Sequence, residues 1–265
     1  MKPVVLACAA VLAGCASQPA VVAEPVVVYA AGSLRDALTE VARDHEARTG
    51  QTLALTFGPS GLLRERIEKG EPAQVFASAD TQHPRRLADG GGWAPQTVFA
   101  RNSLCALVQP GRTVNTANLL ETLLRPELKL GMSTPKADPS GDYALQLFQK
   151  AEAVRPGSQA VLDAKALRLT GGPDSPAAPA GRNLYAWVME QGRADVFLTY
   201  CTNAVAAQKE RSALQVVQVP AALQVGAAYG MTVRQGAPVP AAAFAKALVA
   251  EPAQAILARF GFGRP

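Results

Sequence analysis

At 265 residues, 49% of them hydrophobic and 18% charged, the chain is long enough for one large core or for two lobes. The net charge of +5 comes from scattered basic residues, in no run and no aromatic-interleaved patch, which argues against a nucleic-acid surface and leaves a mild bias toward anionic partners. His45 and His83 are the two histidines and no Cys/His pair has ligand spacing, so neither a resident metal nor a histidine-based catalytic centre is well supported.

The N-terminus reads as a targeting segment. Lys2 precedes an apolar stretch from Val4 to Ala13, too short to span a bilayer and suited to a signal-peptide core. Leu12-Ala13-Gly14-Cys15 resembles the lipobox of bacterial lipoproteins, which makes residues 1–15 a lipoprotein signal peptide ending at a lipid-carrying Cys15, and residues 16–25 a tether. Ordinary cleavage near the small residues is the alternative and gives a soluble periplasmic protein. With Cys8 removed and Cys15 acylated, Cys105 and Cys201 remain, and an oxidising compartment favours a Cys105–Cys201 disulfide over two buried thiols.

From residue 26 onward, strands and helices alternate: strand 26–30, helix 34–48, strand 53–57, helix 62–69, strand 74–78, helix 82–89. The rhythm restarts with strand 104–109, helix 117–124, strand 128–132 and helix 141–153, then a short strand near 166–169. Residues 170–181 are rich in glycine and proline and form an irregular loop of unusual length. Helix 184–191, strands 195–201, 214–219 and 226–233, and two closing helices at 241–249 and 252–260 complete the chain. The fold class is α/β: two lobes, each a mainly parallel sheet flanked by helices, with a cleft between. The first lobe takes residues 26–103 and 232–265 and is discontinuous; the second takes 104–231.

Four helices start from corners of small, hydroxyl or amide residues: Gly32-Ser33, Ser60-Gly61, Ser140-Gly141 and Arg182-Asn183. Each such start presents unpaired N–H groups and the positive end of a helix dipole, and four together could converge on one small anion. A serine at such a corner is also a natural N-cap, and Ser33 followed by Asp36 imitates the capping box.

The runs Val26-Val27-Val28-Tyr29-Ala30-Ala31-Gly32-Ser33-Leu34, Phe57-Gly58-Pro59-Ser60-Gly61-Leu62, Ala73 to Asp80, Asp138-Pro139-Ser140-Gly141-Asp142-Tyr143 and Gly192 to Tyr200 resemble, in order and spacing, the ModA-like periplasmic molybdate-binding proteins of ABC importers. The resemblance covers essentially the whole chain after the tether. It implies a type II periplasmic-binding fold that closes on a tetrahedral oxyanion, molybdate or tungstate, with no cofactor and no enzymatic activity. Carried over by position, Ser33 and Ser60 supply hydroxyl and backbone donors. Ser140 and Arg182 stand where the family donates backbone N–H groups, and Tyr200 is the ligand-binding tyrosine eighteen residues after Arg182. Gly32, Gly61, Asp138 and Asn183 stand behind these donors or add a contact. The implied partners are a membrane permease and its ATPase, reached from a lipid anchor or from the periplasm, with the binding protein a monomer.

Two residues depart from that pattern. Asp138 beside Ser140 would repel a dianion unless it caps the helix or serves as a further ligand, and a guanidinium at Arg182 would add charge and relax selectivity. Binders or sensors of sulfate, phosphate or an organic acid on the same fold are the alternative. A serine hydrolase is the weakest reading, because no Gly-x-Ser-x-Gly occurs.

Overall fold

The computed structural model describes residues 24–265; the proposed signal peptide, Cys15 and most of the tether lie outside the described residues. In chain order the elements are β1 (Val26–Ala31), a 3₁₀ turn (Gly32–Leu34), α1 (Arg35–Thr49), β2 (Leu53–Gly58), α2 (Ser60–Glu68), β3 (Val75–Ala77), α3 (Gln82–Asp89) and β4 (Thr97–Val108). There follow α4 (Leu119–Leu124), β5 (Leu130–Ser133), α5 (Pro139–Val154), α6 (Ser158–Lys165), β6 (Leu167–Thr170), α7 (Leu184–Glu190) and β7 (Val196–Tyr200). The chain closes with α8 (Cys201–Glu210), β8 (Gln215–Gln218), β9 (Gly226–Val233), α9 (Val239–Leu248) and α10 (Glu251–Arg259).

The strands run in the order β2-β1-β3-β9-β4-β7-β5-β6, with β8 also on β4. The outer strands are parallel, β2-β1-β3 on one side and β7-β5-β6 on the other, as the βαβ rhythm requires. In the middle, β9 is antiparallel to β3 and β4, and β7 and β8 are antiparallel to β4. Each lobe's sheet is therefore mixed where mainly parallel pairing was expected.

β4 joins the two sheets. Its first half, Thr97 to Ser103, pairs with β9, and its second half, Leu104 to Val108, pairs with β7 and β8. The sequence suggested only the second half, because Arg101-Asn102-Ser103 is polar. The polarity marks the crossing instead: Asn102 Nδ2 donates to Thr202 Oγ1 at 2.9 Å and to the Tyr229 hydroxyl at 3.2 Å. The return crossing lies before β9, which pairs along its whole length with first-lobe strands, so that sheet resumes at Gly226 and not at 232. One apolar cluster runs through this middle, with Phe99, Leu104, Leu198, Tyr229 and Phe244 fully buried. Each such side chain contributes about 1.5–3 kcal/mol of burial. A disulfide joins Cys105 on β4 to Cys201, the first residue of α8.

Candidate functional site

A cleft of about 970 Å³ opens between the two sheets. Its wall includes Gly32, Ser33, Ser60 and Ala79 from the first lobe, and Asp138, Gly171, Arg182, Asn183, Tyr185 and Tyr200 from the second. Five separate segments predicted from the sequence thus meet at one place.

On the first-lobe side, small residues bring two helix starts to the cleft. Ser33 lies inside the 3₁₀ turn, whose N-cap is Ala31, and α1 follows with Leu34 as its N-cap; neither start has a side-chain cap. Ser33 is consequently not the cap its sequence position suggested, and its hydroxyl pairs with that of Tyr229 at 2.9 Å. Ser60 is the first residue of α2 behind the N-cap Pro59, again without a side-chain cap. Its Oγ accepts from the Ala79 N–H at 3.1 Å, which leaves the Ser60 O–H free to donate elsewhere.

Ala79 also ties the lobes together, since its carbonyl accepts from the Tyr200 hydroxyl at 3.1 Å. Burial keeps that phenol well above its ordinary pKa, so it remains a protonated donor. A second link runs from the Gly61 N–H to the Ala137 carbonyl at 2.8 Å. A Cβ on Gly61 would fall 2.2 Å from the Lys136 carbonyl oxygen, a contact no larger residue can make. Gly61 does not line the cleft; it serves the contact between lobes. Lys136 is held there with φ 68° while its N–H donates to the Asp142 carboxylate at 3.0 and 3.1 Å.

The second-lobe corners are built differently. Asp138 is the N-cap of α5 and its Oδ1 accepts from the Ser140 N–H at 3.1 Å. Ser140 is fully buried and does not line the cleft, and its backbone donor is already taken by Asp138. Asp138 caps the helix and also forms part of the cleft wall, where the sequence had posed these as alternatives. Burial pushes its carboxyl up to about 6 against the opposing pull of the Ser140 N–H. Gly171, with φ 76°, crosses directly over it: a Cβ there would sit 2.7 Å from Asp138 Oδ2.

Asn183 caps α7 through Oδ1, which accepts from the Tyr185 and Ala186 N–H groups, each at 3.0 Å. The Arg182 guanidinium pairs with Glu190 at 2.6 Å and Glu210 at 2.7 Å, and its backbone N–H donates to the Pro179 carbonyl at 3.1 Å. Arg182 is on the cleft wall, but its Nε, Nη2 and backbone donors are engaged with the protein.

α8 escaped the sequence reading altogether. It starts directly from β7 at Cys201, with Tyr200 as an N-cap whose side chain makes no capping bond, so no capping residue announces it. It adds Thr202 and Asn203 to the cleft wall and supplies an uncapped helix start on the second-lobe side. Tyr229, which holds Ser33, was likewise not singled out, its role arising from a pairing 196 residues away. Neither histidine lines the cleft: His45 packs edge-on against Phe244, and His83 lies 4.0 Å from Asp80.

Residues 26–263 match the model of the bacterial extracellular solute-binding protein family. The uncharacterized protein PM1146 of Pasteurella multocida is 39% identical over 203 residues, 76% of this chain and 84% of its own. The molybdate-binding protein ModA of Haemophilus influenzae is 25% identical over 244 residues, 89% of each chain. Among solved structures, the periplasmic molybdate-binding protein of Azotobacter vinelandii superposes with a TM-score of 0.71 at 19% identity, over 91% of this chain and 99% of its own. The sulfate-binding protein SubI of Mycobacterium tuberculosis gives 0.72 at 18% identity, over 90% and 86%. The chain therefore belongs to the bacterial extracellular solute-binding protein family, as a ModA-like member with the two-lobed type II periplasmic-binding fold.

Proposed function

We propose that the cleft captures a small tetrahedral oxyanion, molybdate or tungstate first, and presents it to the permease and ATPase of an ABC importer. The observation that carries this reading is the convergence of Ser33, Ser60 and Tyr200 on one cleft with uncapped helix starts behind each; the two serines offer neutral donors, and Tyr200 would turn its O–H from the Ala79 carbonyl to the ligand. Neutral oriented donors suit a dianion stripped of water, each charge-assisted hydrogen bond contributing about 1.5–3 kcal/mol net. The ModA relatives support molybdate, and the protein acts by binding and not by catalysis. Cys15 carries the lipid that holds the protein at the membrane, and a monomer suffices for the site.

Asp138 on the wall favours a second ligand, hydrogen phosphate, which carries a proton that a site made of donors alone cannot accept. Thermal unfolding of the purified protein with molybdate, tungstate, sulfate and phosphate distinguishes these ligands. A ligand present at a hundred times its dissociation constant adds about 2.7 kcal/mol of stability. A large rise in Tm with molybdate and tungstate, and little with sulfate, is expected. A rise with phosphate alone transfers the assignment to phosphate.

A further inference from the structure

We propose that Asp138 and the bound oxyanion share a single proton, so that a fully ionised anion such as molybdate is captured together with one proton from solvent. The inference rests on the oxyanion reading and adds the protonation state of the complex.

Asp138 stands on the same cleft wall as Ser33, Ser60 and Tyr200. Its position is fixed, with Oδ1 on the Ser140 N–H and Gly171 closing over Oδ2, so the carboxylate cannot swing away from an arriving anion without breaking its cap. The groups that face it are Ser133 on β5, Asp142 on α5, Tyr185 on α7, Tyr200 on β7 and Tyr229 on β9. The one charge among them, Asp142, is negative, and the three phenols are held neutral by burial. The cleft wall also carries Arg35, stacked on the Phe57 ring, Arg182, paired with Glu190 and Glu210, and Lys209; none of these is among the groups that face Asp138.

A dianion entering this site meets a carboxylate that no cation is paired with. Protonation removes the repulsion and turns the carboxyl into a further O–H donor. The carboxyl is already poised for this step, since burial raises its pKa to about 6. The balance is simple: one carboxylate, one proton and one dianion give a neutral carboxyl hydrogen-bonded to the dianion. No bond to the metal atom forms. Hydrogen phosphate brings its own proton and needs none from solvent.

Titration calorimetry of the purified protein between pH 6 and pH 8.5, in buffers of different ionisation enthalpy, tests this. With molybdate we expect uptake of about one proton at pH 8 and a Kd that weakens up to about tenfold per pH unit above 6. Asp138→Asn should abolish both the uptake and the pH dependence. With phosphate at pH 8 the wild type should show no uptake. Molybdate binding without proton uptake, or an unchanged pH dependence in Asp138→Asn, would overturn the assignment while leaving the oxyanion reading intact. Failure of molybdate, tungstate, sulfate and phosphate all to bind would overturn both. Phosphate binding alone, weakened in Asp138→Asn, would retain the shared proton and reject molybdate.

Discussion

On the first-lobe side of the cleft, the 3₁₀ turn and α2 begin behind Ala31 and Pro59, residues with no side-chain acceptor to offer. Across the cleft, α5 and α7 begin under Asp138 and Asn183, whose side chains accept from the first N–H groups of their own helices. The contrast separates helix starts left open for a ligand from helix starts already satisfied by the protein. The second lobe recovers an open start at α8, directly after Tyr200. An anion in this cleft would thus be held by Ser33, Ser60 and Tyr200, with Asp138 and Asn183 framing it.

The comparison is broken most severely by removing both first-lobe hydroxyls. Ser33→Ala with Ser60→Ala deletes two charge-assisted bonds, and molybdate affinity should fall by about two to four orders of magnitude in calorimetry. The fold should survive, because neither serine caps its helix. Unchanged affinity would remove these corners from the site.

Gly61→Ala tests the lobes' approach without touching the ligand. The added Cβ would fall 2.2 Å from the Lys136 carbonyl oxygen, so the lobes must separate to accept it. Affinity should fall about 10- to 100-fold, consistent with an overpacking cost of about 1–3 kcal/mol, and scattering should show a less compact liganded state. A tightly binding, fully compact Gly61→Ala protein would show that this contact does not govern closure.

Asp138 offers a test on stability. Its carboxyl is raised to about 6, so the folded state holds that proton more tightly than the unfolded chain does. The resulting stabilisation is fully present below pH about 4 and is lost as pH rises through 6. Asp138→Asn keeps a capping residue and removes the buried charge. In ligand-free protein, its Tm relative to wild type should therefore rise by a few degrees between pH 4 and pH 8. A pH-independent difference would place the carboxylate in a better solvated position.

The smallest effect belongs to Arg182. Its partners are exposed carboxylates, so Arg182→Gln should cost about 0–1 kcal/mol of stability and change affinity by less than about threefold. A large loss of binding would mean that the guanidinium leaves Glu190 and Glu210 for the ligand.

The first lobe was the more legible in the sequence. Its short apolar strands end at Ala31, just before Gly32, and at Gly58, and local periodicity placed β1, α1, β2 and α2 to within two residues. Ser33 and Ser60 were recognisable because small corner residues and an unobstructed backbone go together. What the sequence concealed was relational. The β7 to α8 junction contains no turn residue, so the strand was read through to Cys201 and α8 went unseen. The polar patch at 101–103 looked like a boundary because its partners, Thr202 and Tyr229, lie about a hundred residues away. The engagement of Arg182 depends on Glu210, 28 residues further on, and that of the Ser140 N–H on the rotamer of Asp138. Periodicity and capping rules describe neighbours in the chain, and these contacts are between neighbours in space.

The central claim is that one cleft, floored by neutral donors from both lobes, holds a single oxyanion. Crystals grown with tungstate, examined by anomalous scattering at the tungsten edge, test it most directly. The account predicts one tungsten peak between the lobes, its oxygens within hydrogen-bond distance of Ser33, Ser60 and Tyr200. A peak elsewhere on the surface, or an empty cleft at saturating tungstate and molybdate, would contradict it.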